Sequence, residues 1–270
     1  METKSMEINE KGICRLSVIP VRGEPRHAAE MVTQLLFGDH YEVLEEKGDW
    51  KKIRMAFDDY EGWIDSNQHH SISNEYYDQI AFSDFRISTE KVSTILFNKQ
   101  SLDIVVGSVL PLSTNELFKM EEQIAFNGES KSMGSKGSVE DIKNTAMKLH
   151  NSPYLWGGRS PFGYDCSGFV QIVYKLNGYF LPRDASQQAK VGEEIVKPED
   201  ASMGDLAFFE NEKGRVDHVG IILDNNRIIH ASGKVRVDEL TSKGIFNSEK
   251  NIYTHKKLHA IRHVIRKRKE

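Results

Sequence analysis

The sequence predicts an α+β fold, on three observations. The first half of the chain is a series of short apolar runs separated by turn residues, the second half opens with two segments of helical spacing, and strand-like runs follow them. Helices placed ahead of consecutive strands, rather than alternating with them, indicate helices plus an antiparallel sheet. At 270 residues, 39% hydrophobic and 28% charged, the chain is long enough for one large or two to three small domains. Its 36 basic and 40 acidic residues leave a net charge of −4, so charge supplies no chain-wide reason to expect nucleic acid or an anionic membrane as partner. The basic tail HVIRKRKE has no aromatic residues among its charges and reads as a solvated chain end. The stretch METKSMEINEKGICRL lacks the apolar run of a secretory signal, and no window reaches the length of a membrane span. Cys14 and Cys166 make neither a disulfide framework nor a metal spacing. The expectation is a cytoplasmic protein with free thiols, no metal and no organic cofactor.

Between residues 12 and 70 the runs are ICRLSVIPV, MVTQLLFGD, HYEVLEEKGDW, KKIRMAF and EGWID. Tyr41 and Val43, and Ile53 and Met55 between Lys52 and Arg54, alternate as half-exposed strands do, while EKGD and FDDYEG suit hairpin turns. A small β-barrel is the natural closure for strands this short. The order LLFGDHYEVLEEKGDWKKIRM, then YEGWID, resembles the bacterial SH3-like domain. Residues 71–133, with YYDQIAFSDFRIS, VSTILF, LDIVVGSVLPL and LFKMEEQIAF, also read as strand-rich, and a second SH3-like barrel is expected there. The polar run NGESKSMGSKGS, 127–138, reads as a linker or long exposed loop, and His69 and His70 read as exposed loop as well.

A third domain is expected over 138–266. In VEDIKNTAMKLHN the apolar positions 139, 142, 146 and 149 are spaced for a helix, with Ser138 as N-cap and Asp141 as its acidic N3 partner. A second helix follows Cys166, carrying Phe169, Val170, Val173 and Leu176 on one face and stopped by Asn177-Gly178. The runs GDLAFFE, HVGIILDN, NRIIHAS and AIRHVIR then read as strands.

Cys166 is the candidate for chemistry. A thiol attacks carbonyls as thiolate, so a catalytic cysteine needs a helix N-terminus or an imidazole nearby. Cys166 falls in the first turn of its predicted helix, where the macrodipole favours negative charge. His218 and His230 lie on two runs that a hairpin around Asp224, Asn225 and Asn226 would bring together, making the histidines neighbours across the ladder. His218 as base and His230 as its orienter satisfy the geometry of a cysteine-histidine-polar triad. On spacing alone, a structural thiol and two structural strand histidines account for the pattern equally well.

The segments PYLWGG (153–158), DCSGFV (165–170), GDLAFF (204–209), HVGI (218–221) and IIHAS (228–232), in this order, resemble the NlpC/p60 papain-like cell-wall peptidases. With SH3-like domains ahead, the chain is similar to the γ-D-glutamyl-L-diamino-acid endopeptidases, or dipeptidyl-peptidase VI type. The resemblance implies Cys166 as nucleophile, His218 as general base and His230 as the third, orienting residue. It implies substrate contacts at Tyr154, Asp165, Ser167 and Ser186, although Asp165 and Ser186 are equally suited to capping helices and Ser167 to satisfying a first-turn N–H. It further implies that the first SH3-like domain closes one end of the cleft, with an acid and a tyrosine holding the free α-amine of an N-terminal L-Ala. Glu30 and Tyr60 occupy the matching positions, with Glu24 and Asp59 as alternative acids. The implied substrates are short murein peptides, L-Ala-γ-D-Glu-diamino acid, acted on by a monomer in wall-peptide recycling. The rival expectations are an exported wall hydrolase with SH3-like anchors and a non-catalytic muropeptide-binding module. A permuted lipid acyltransferase is disfavoured because both histidines follow the cysteine.

Overall fold

The computed structural model describes residues 10–82, 85–110, 123–224 and 226–265. Two units are present, Met1–Gly134 and Ser135–Glu270.

In the first unit, seven antiparallel strands pair in the order Met31–Leu36, Val18–Arg22, Glu61–Asp65, Trp50–Met55, His40–Lys47, Glu10–Ile13 and Ser71–Ile72. The alternation read from the sequence holds: Tyr41, Val43, Ile53 and Met55 point into a core with Cys14, Ile19, Val21, Leu35 and Ile64. Each such side chain taken from water contributes about 1.5–3 kcal/mol. The expected closed barrel is corrected to an open ladder among the described residues. Ser71–Ile72 is only two residues long and the chain then turns into a helix, so no strand joins the two edges.

That helix, Asn74–Phe82, replaces the strand expected in YYDQIAFSDFRIS. Tyr76 and Ile80, one helical turn apart, are buried with Ile13, Ile72, Phe85 and Val109, and this shared core outweighs the local aromatic preference for strand. Two three-stranded sheets follow. Val92–Phe97 lies between Gln100–Val105 and Ile124–Ala125, and Arg86–Ser88 lies between Val109–Leu110 and Ser130–Ser132. The expected linker is therefore partly strand: Lys131 pairs with Ile87, and the Arg86 guanidinium donates to Ser130. The run 117–126 was expected to be strand-rich; residues 117–122 of it lie outside the described residues, as does the tail from 266 onward.

His69 is not exposed. Its side chain is 7% accessible, with Nδ1 3.1 Å from the Tyr41 hydroxyl and Nε2 2.9 Å from Glu10. The strand Glu10–Ile13 pairs on one side with His40–Lys47 and on the other with Ser71–Ile72, which brings these three groups together.

In the second unit, helix Val139–Lys148 starts at the expected capping box of Ser138 and Asp141 and buries Ile142 and Ala146. Helix Cys166–Leu176 is buried along its whole length and ends at Asn177, with Gly178 at φ 71°. A short helix, Ala185–Gln188, follows. The sheet has eight antiparallel strands in the order Glu193–Glu194, Lys257–His263, Leu206–Glu210, Val216–Ile222, Arg227–Ser232, Lys234–Thr241, Gly244–Asn247 and Ile252–Thr254. Cys166–Leu176 packs on the two middle strands, Val216–Ile222 and Arg227–Ser232. The α+β expectation is met in this unit. No helix among the described residues is long and apolar enough to cross a membrane.

Candidate active site

Cys166 is the first residue of its helix because Asp165 caps it: the Asp165 Oδ1 accepts from the Gly168 N–H at 2.6 Å. Gly168 is required here, since a Cβ would come within 2.3 Å of the Gly158 carbonyl oxygen. Asp165 also accepts from the Gly157 N–H at 2.9 Å, from the Ser167 hydroxyl at 3.2 Å, and from both ends of the buried Arg183 guanidinium at 3.0 and 2.5 Å. Ser167 in turn accepts from Arg183 at 2.9 Å. One cluster thus ties the loop before the helix, the helix start and the Arg183 loop together, a bidentate pair being the strongest form such a link takes. Arg183 is a residue the sequence reading missed.

The Cys166 thiol donates to the Asp217 carbonyl at 3.7 Å, which sets it beside the strand carrying His218. That strand and Arg227–Ser232 form the expected hairpin, although Asn225 lies outside the described residues. The register places His230 opposite Gly220, two residues along from His218, so both imidazoles share one face. Their nitrogens, His218 Nε2 and His230 Nδ1, are 2.8 Å apart. The glycine makes this approach possible, because a Cβ at 220 would lie 2.9 Å from the His230 Cβ and 2.7 Å from Ile228. On the next strand Asp238 continues the diagonal: its Oδ2 is 3.1 Å from His230 Nε2, and its Oδ1 accepts from Arg236 at 3.0 Å. His255, at φ 41° between the last two strands, lays its ring flat on His218, with centroids 3.6 Å apart and planes at 6°. Asp238 and His255 were also missed. The alternation in KVRVDEL, which puts residues 236 and 238 on one face, is the available signal for Asp238.

Burial pushes the Cys166 thiol up to about 12, with Asp165 adding to the rise while the Val219 N–H and Arg183 oppose it. Burial likewise holds His218 well below its ordinary value, helped by His230 and His255. His255 is brought down to about 4, again by burial first. The resting site therefore holds a thiol beside neutral His218 and His255; desolvation outweighs the helix start that by itself would favour a thiolate. Tyr154 is raised to about 12 by burial, then by the charges Cys166, Asp165 and Asp217 would carry, which marks it as a neighbour of the thiol.

Ser186 is exposed on the short helix after Arg183. In the first unit Glu30 is exposed just before strand Met31–Leu36, and Tyr60 is half-buried against that unit's core. Glu24 is paired with Arg26 at 2.9 Å. His218, His230 and His255 bring three potential metal-binding nitrogens within 4.8 Å of one another. Their arrangement suits a hydrogen-bonded chain better than a metal: two of the nitrogens are bonded to each other, and the stacked rings of His218 and His255 direct their in-plane lone pairs along parallel planes rather than toward one point.

Comparison with known proteins supplies the family. The NlpC/P60 family model matches residues 151–256, and that of the bacterial dipeptidyl-peptidase SH3 domain matches residues 21–68. The gamma-D-glutamyl-L-lysine dipeptidyl-peptidase of Bacillus subtilis is 34% identical over 218 residues, covering 74% of this chain and 71% of that protein. The protein of the same name from Bacillus cereus is 28% identical over 240 residues, covering 79% and 71%. The crystal structure of an NlpC/P60 family protein from Bacillus cereus matches the fold with a TM-score of 0.78 over 94% of this chain and 99% of that one, at 22% identity. The motifs around Cys166, His218 and His230 thus lie inside the matched region, and the chain belongs to the NlpC/P60 family of peptidases, with an SH3 domain of the bacterial dipeptidyl-peptidase type ahead of the catalytic domain.

Proposed function

We propose that this peptidase hydrolyses the bond between γ-D-Glu and lysine or diaminopimelate in short murein peptides with a free N-terminal L-Ala, in cytoplasmic recycling of wall peptides. Cys166 is the nucleophile, His218 the general base and His230 its orienting partner on a papain-like fold, with 12–70 and 71–133 as two SH3-like modules. The observation that carries this reading is the thiol at a helix start, bonded to the backbone beside His218, whose ring is bonded to His230. The names of the two Bacillus relatives support the choice of bond.

With thiol and imidazole both neutral at rest, the proton crosses to His218 as sulfur attacks the γ-carbonyl carbon. The helix-start N–H groups and the Tyr154 hydroxyl are the donors near the developing oxyanion. His218 then protonates the departing amine, and water, deprotonated by the same ring, hydrolyses the thioester. Because His218 titrates low, its base form survives below the usual histidine range. The expected pH profile of kcat/KM is accordingly flat through pH 6 and falls only at more acidic pH; an acid limb centred near 6.5 contradicts the burial argument.

Glu30 and Tyr60 are assigned to the L-Ala ammonium on sequence resemblance. The test compares L-Ala-γ-D-Glu-L-Lys with its N-acetyl analogue, products read by mass spectrometry. Glu30→Gln is expected to raise KM for the free-amine peptide by about 10-fold, and equal cleavage of the two peptides by the unmodified enzyme contradicts the assignment. Gly220→Ala crowds His230, and misplacing the orienting ring by a few tenths of an ångström up to 1 Å is expected to lower kcat by about 10- to 100-fold with KM little changed.

A further inference from the structure

We propose that Asp238, held by Arg236, is a positioning residue that sets the tautomers of His230 and His218 and so makes His218 Nδ1 the atom that takes the thiol proton. This rests on the reading of Cys166 and His218 above. A carboxylate can only accept, and Arg236 can only donate. Arg236 faces both carboxylate oxygens, Nη2 at 3.0 Å from Oδ1 and Nε at 2.9 Å from Oδ2, and Oδ2 also lies 3.1 Å from His230 Nε2, with the Asp238 and His230 side chains essentially inaccessible to water. His230 must therefore carry its hydrogen on Nε2. In the neutral form of His230 that N–H is the only one, so Nδ1 is a lone pair and accepts from His218 Nε2 across their 2.8 Å contact. His218 then holds its hydrogen on Nε2 and its lone pair on Nδ1. The opposite tautomer at His218 would set two lone pairs against each other at that distance. Burial works against ionisation of Asp238, yet the hydrogen bonds from His230 and Arg236 prevail and keep it below its ordinary value, so the acceptor role is secure at neutral pH. The other titratable groups facing these rings are His255, stacked on His218, and Asp217, whose charge also acts on His255.

The step balances. The S–H bond breaks, its proton goes to His218 Nδ1, the sulfur pair forms the C–S bond, and the carbonyl π pair moves to oxygen. The His218 imidazolium keeps its Nε2–H on His230 Nδ1. When the C–N bond breaks, the Nδ1 proton leaves with the amine. Asp238 thus acts through two rings without touching substrate.

The test is Asp238→Asn in the full chain, with Asp238→Glu alongside. In the amide variant the oxygen stays with Arg236 Nη2, the stronger of its two contacts by the donor geometry at Oδ1, the NH2 turns to His230, and His230 must then accept at Nε2, which inverts both tautomers. Long-range 1H–15N spectra of the free protein are expected to show Nε2–H at His218 and His230 in the unmodified enzyme and Nδ1–H in Asp238→Asn. On L-Ala-γ-D-Glu-L-Lys, kcat is expected to drop by about 10^3- to 10^4-fold with KM within about 3-fold, and Asp238→Glu to recover part of the rate. Alkylation of Cys166 by iodoacetamide at pH 7 should slow in parallel. Unchanged tautomers in Asp238→Asn, or kcat and alkylation both within about 3-fold of the unmodified enzyme, overturn the proposal. If the unmodified enzyme leaves the peptide intact, the substrate reading has failed, while the spectra and the alkylation rates still decide the role of Asp238.

Discussion

Replacing Cys166 with alanine is expected to lower turnover of L-Ala-γ-D-Glu-L-Lys by about 10^4- to 10^6-fold, with peptide affinity nearly unchanged. The size follows from the way the parts act as a unit. Without sulfur there is no acyl-enzyme, and the His218–His230–Asp238 chain has no proton to accept, so what survives is binding and oxyanion stabilisation. Cys166→Ser is expected to be almost as inactive. An alkoxide is harder to form than a thiolate, and the same burial that pushes the thiol up to about 12 acts on the hydroxyl. Affinity is read by calorimetry with the intact peptide; a variant that has lost binding along with turnover would point to a misfolded cleft instead. Alanine and serine are both close to cysteine in size, so stability should change little although Cys166 is buried.

The second large effect concerns the fold. Arg183→Ala is expected to destabilise the catalytic unit by about 3–5 kcal/mol, because it removes the counter-charge of a buried carboxylate. Arg183 and Asp165 are 1% and 10% accessible in their side chains, and the guanidinium also donates to Ser167. The loss is read from urea unfolding followed by a probe in residues 135–270. A double-mutant cycle with Asp165→Asn separates the pair from its surroundings: the double variant should be less destabilised than the sum of the singles by more than about 1 kcal/mol. Strict additivity would mean that the two groups do not depend on each other. Arg183→Ala should also slow Cys166 alkylation, since Arg183 is among the groups that favour the thiolate.

Much of the site was legible because its parts lie in short segments with strong local character. The cap at Asp165, the glycine after it and the histidines on two consecutive strands can be read without knowing the fold. The groups that complete the site were not legible, and for one physical reason. Arg183, Asp238 and His255 reach it from a loop, a third strand and a positive-φ turn, and their partners exist only once the sheet register is set. The register matters down to two residues: His230 faces Gly220 rather than His218, and the absence of a side chain at 220 is what lets the rings meet. In the first unit the same competition ran the other way. Helix Asn74–Phe82 and the buried His69 read locally as strand and exposed loop, and tertiary partners, Ile13 and Val109 for the helix, Glu10 and Tyr41 for the histidine, decide them.

The central claim is that the peptide is cleaved through a thioester on Cys166. Rapid acid quenching of the enzyme with L-Ala-γ-D-Glu-L-Lys, followed by intact mass and peptide mapping, tests it most directly. The expected result is a transient mass increase equal to an L-Ala-D-Glu acyl group, located on the Cys166 peptide and formed with a burst of free lysine. Release of lysine at full rate with no adduct at Cys166, and retained in Cys166→Ala, would contradict it.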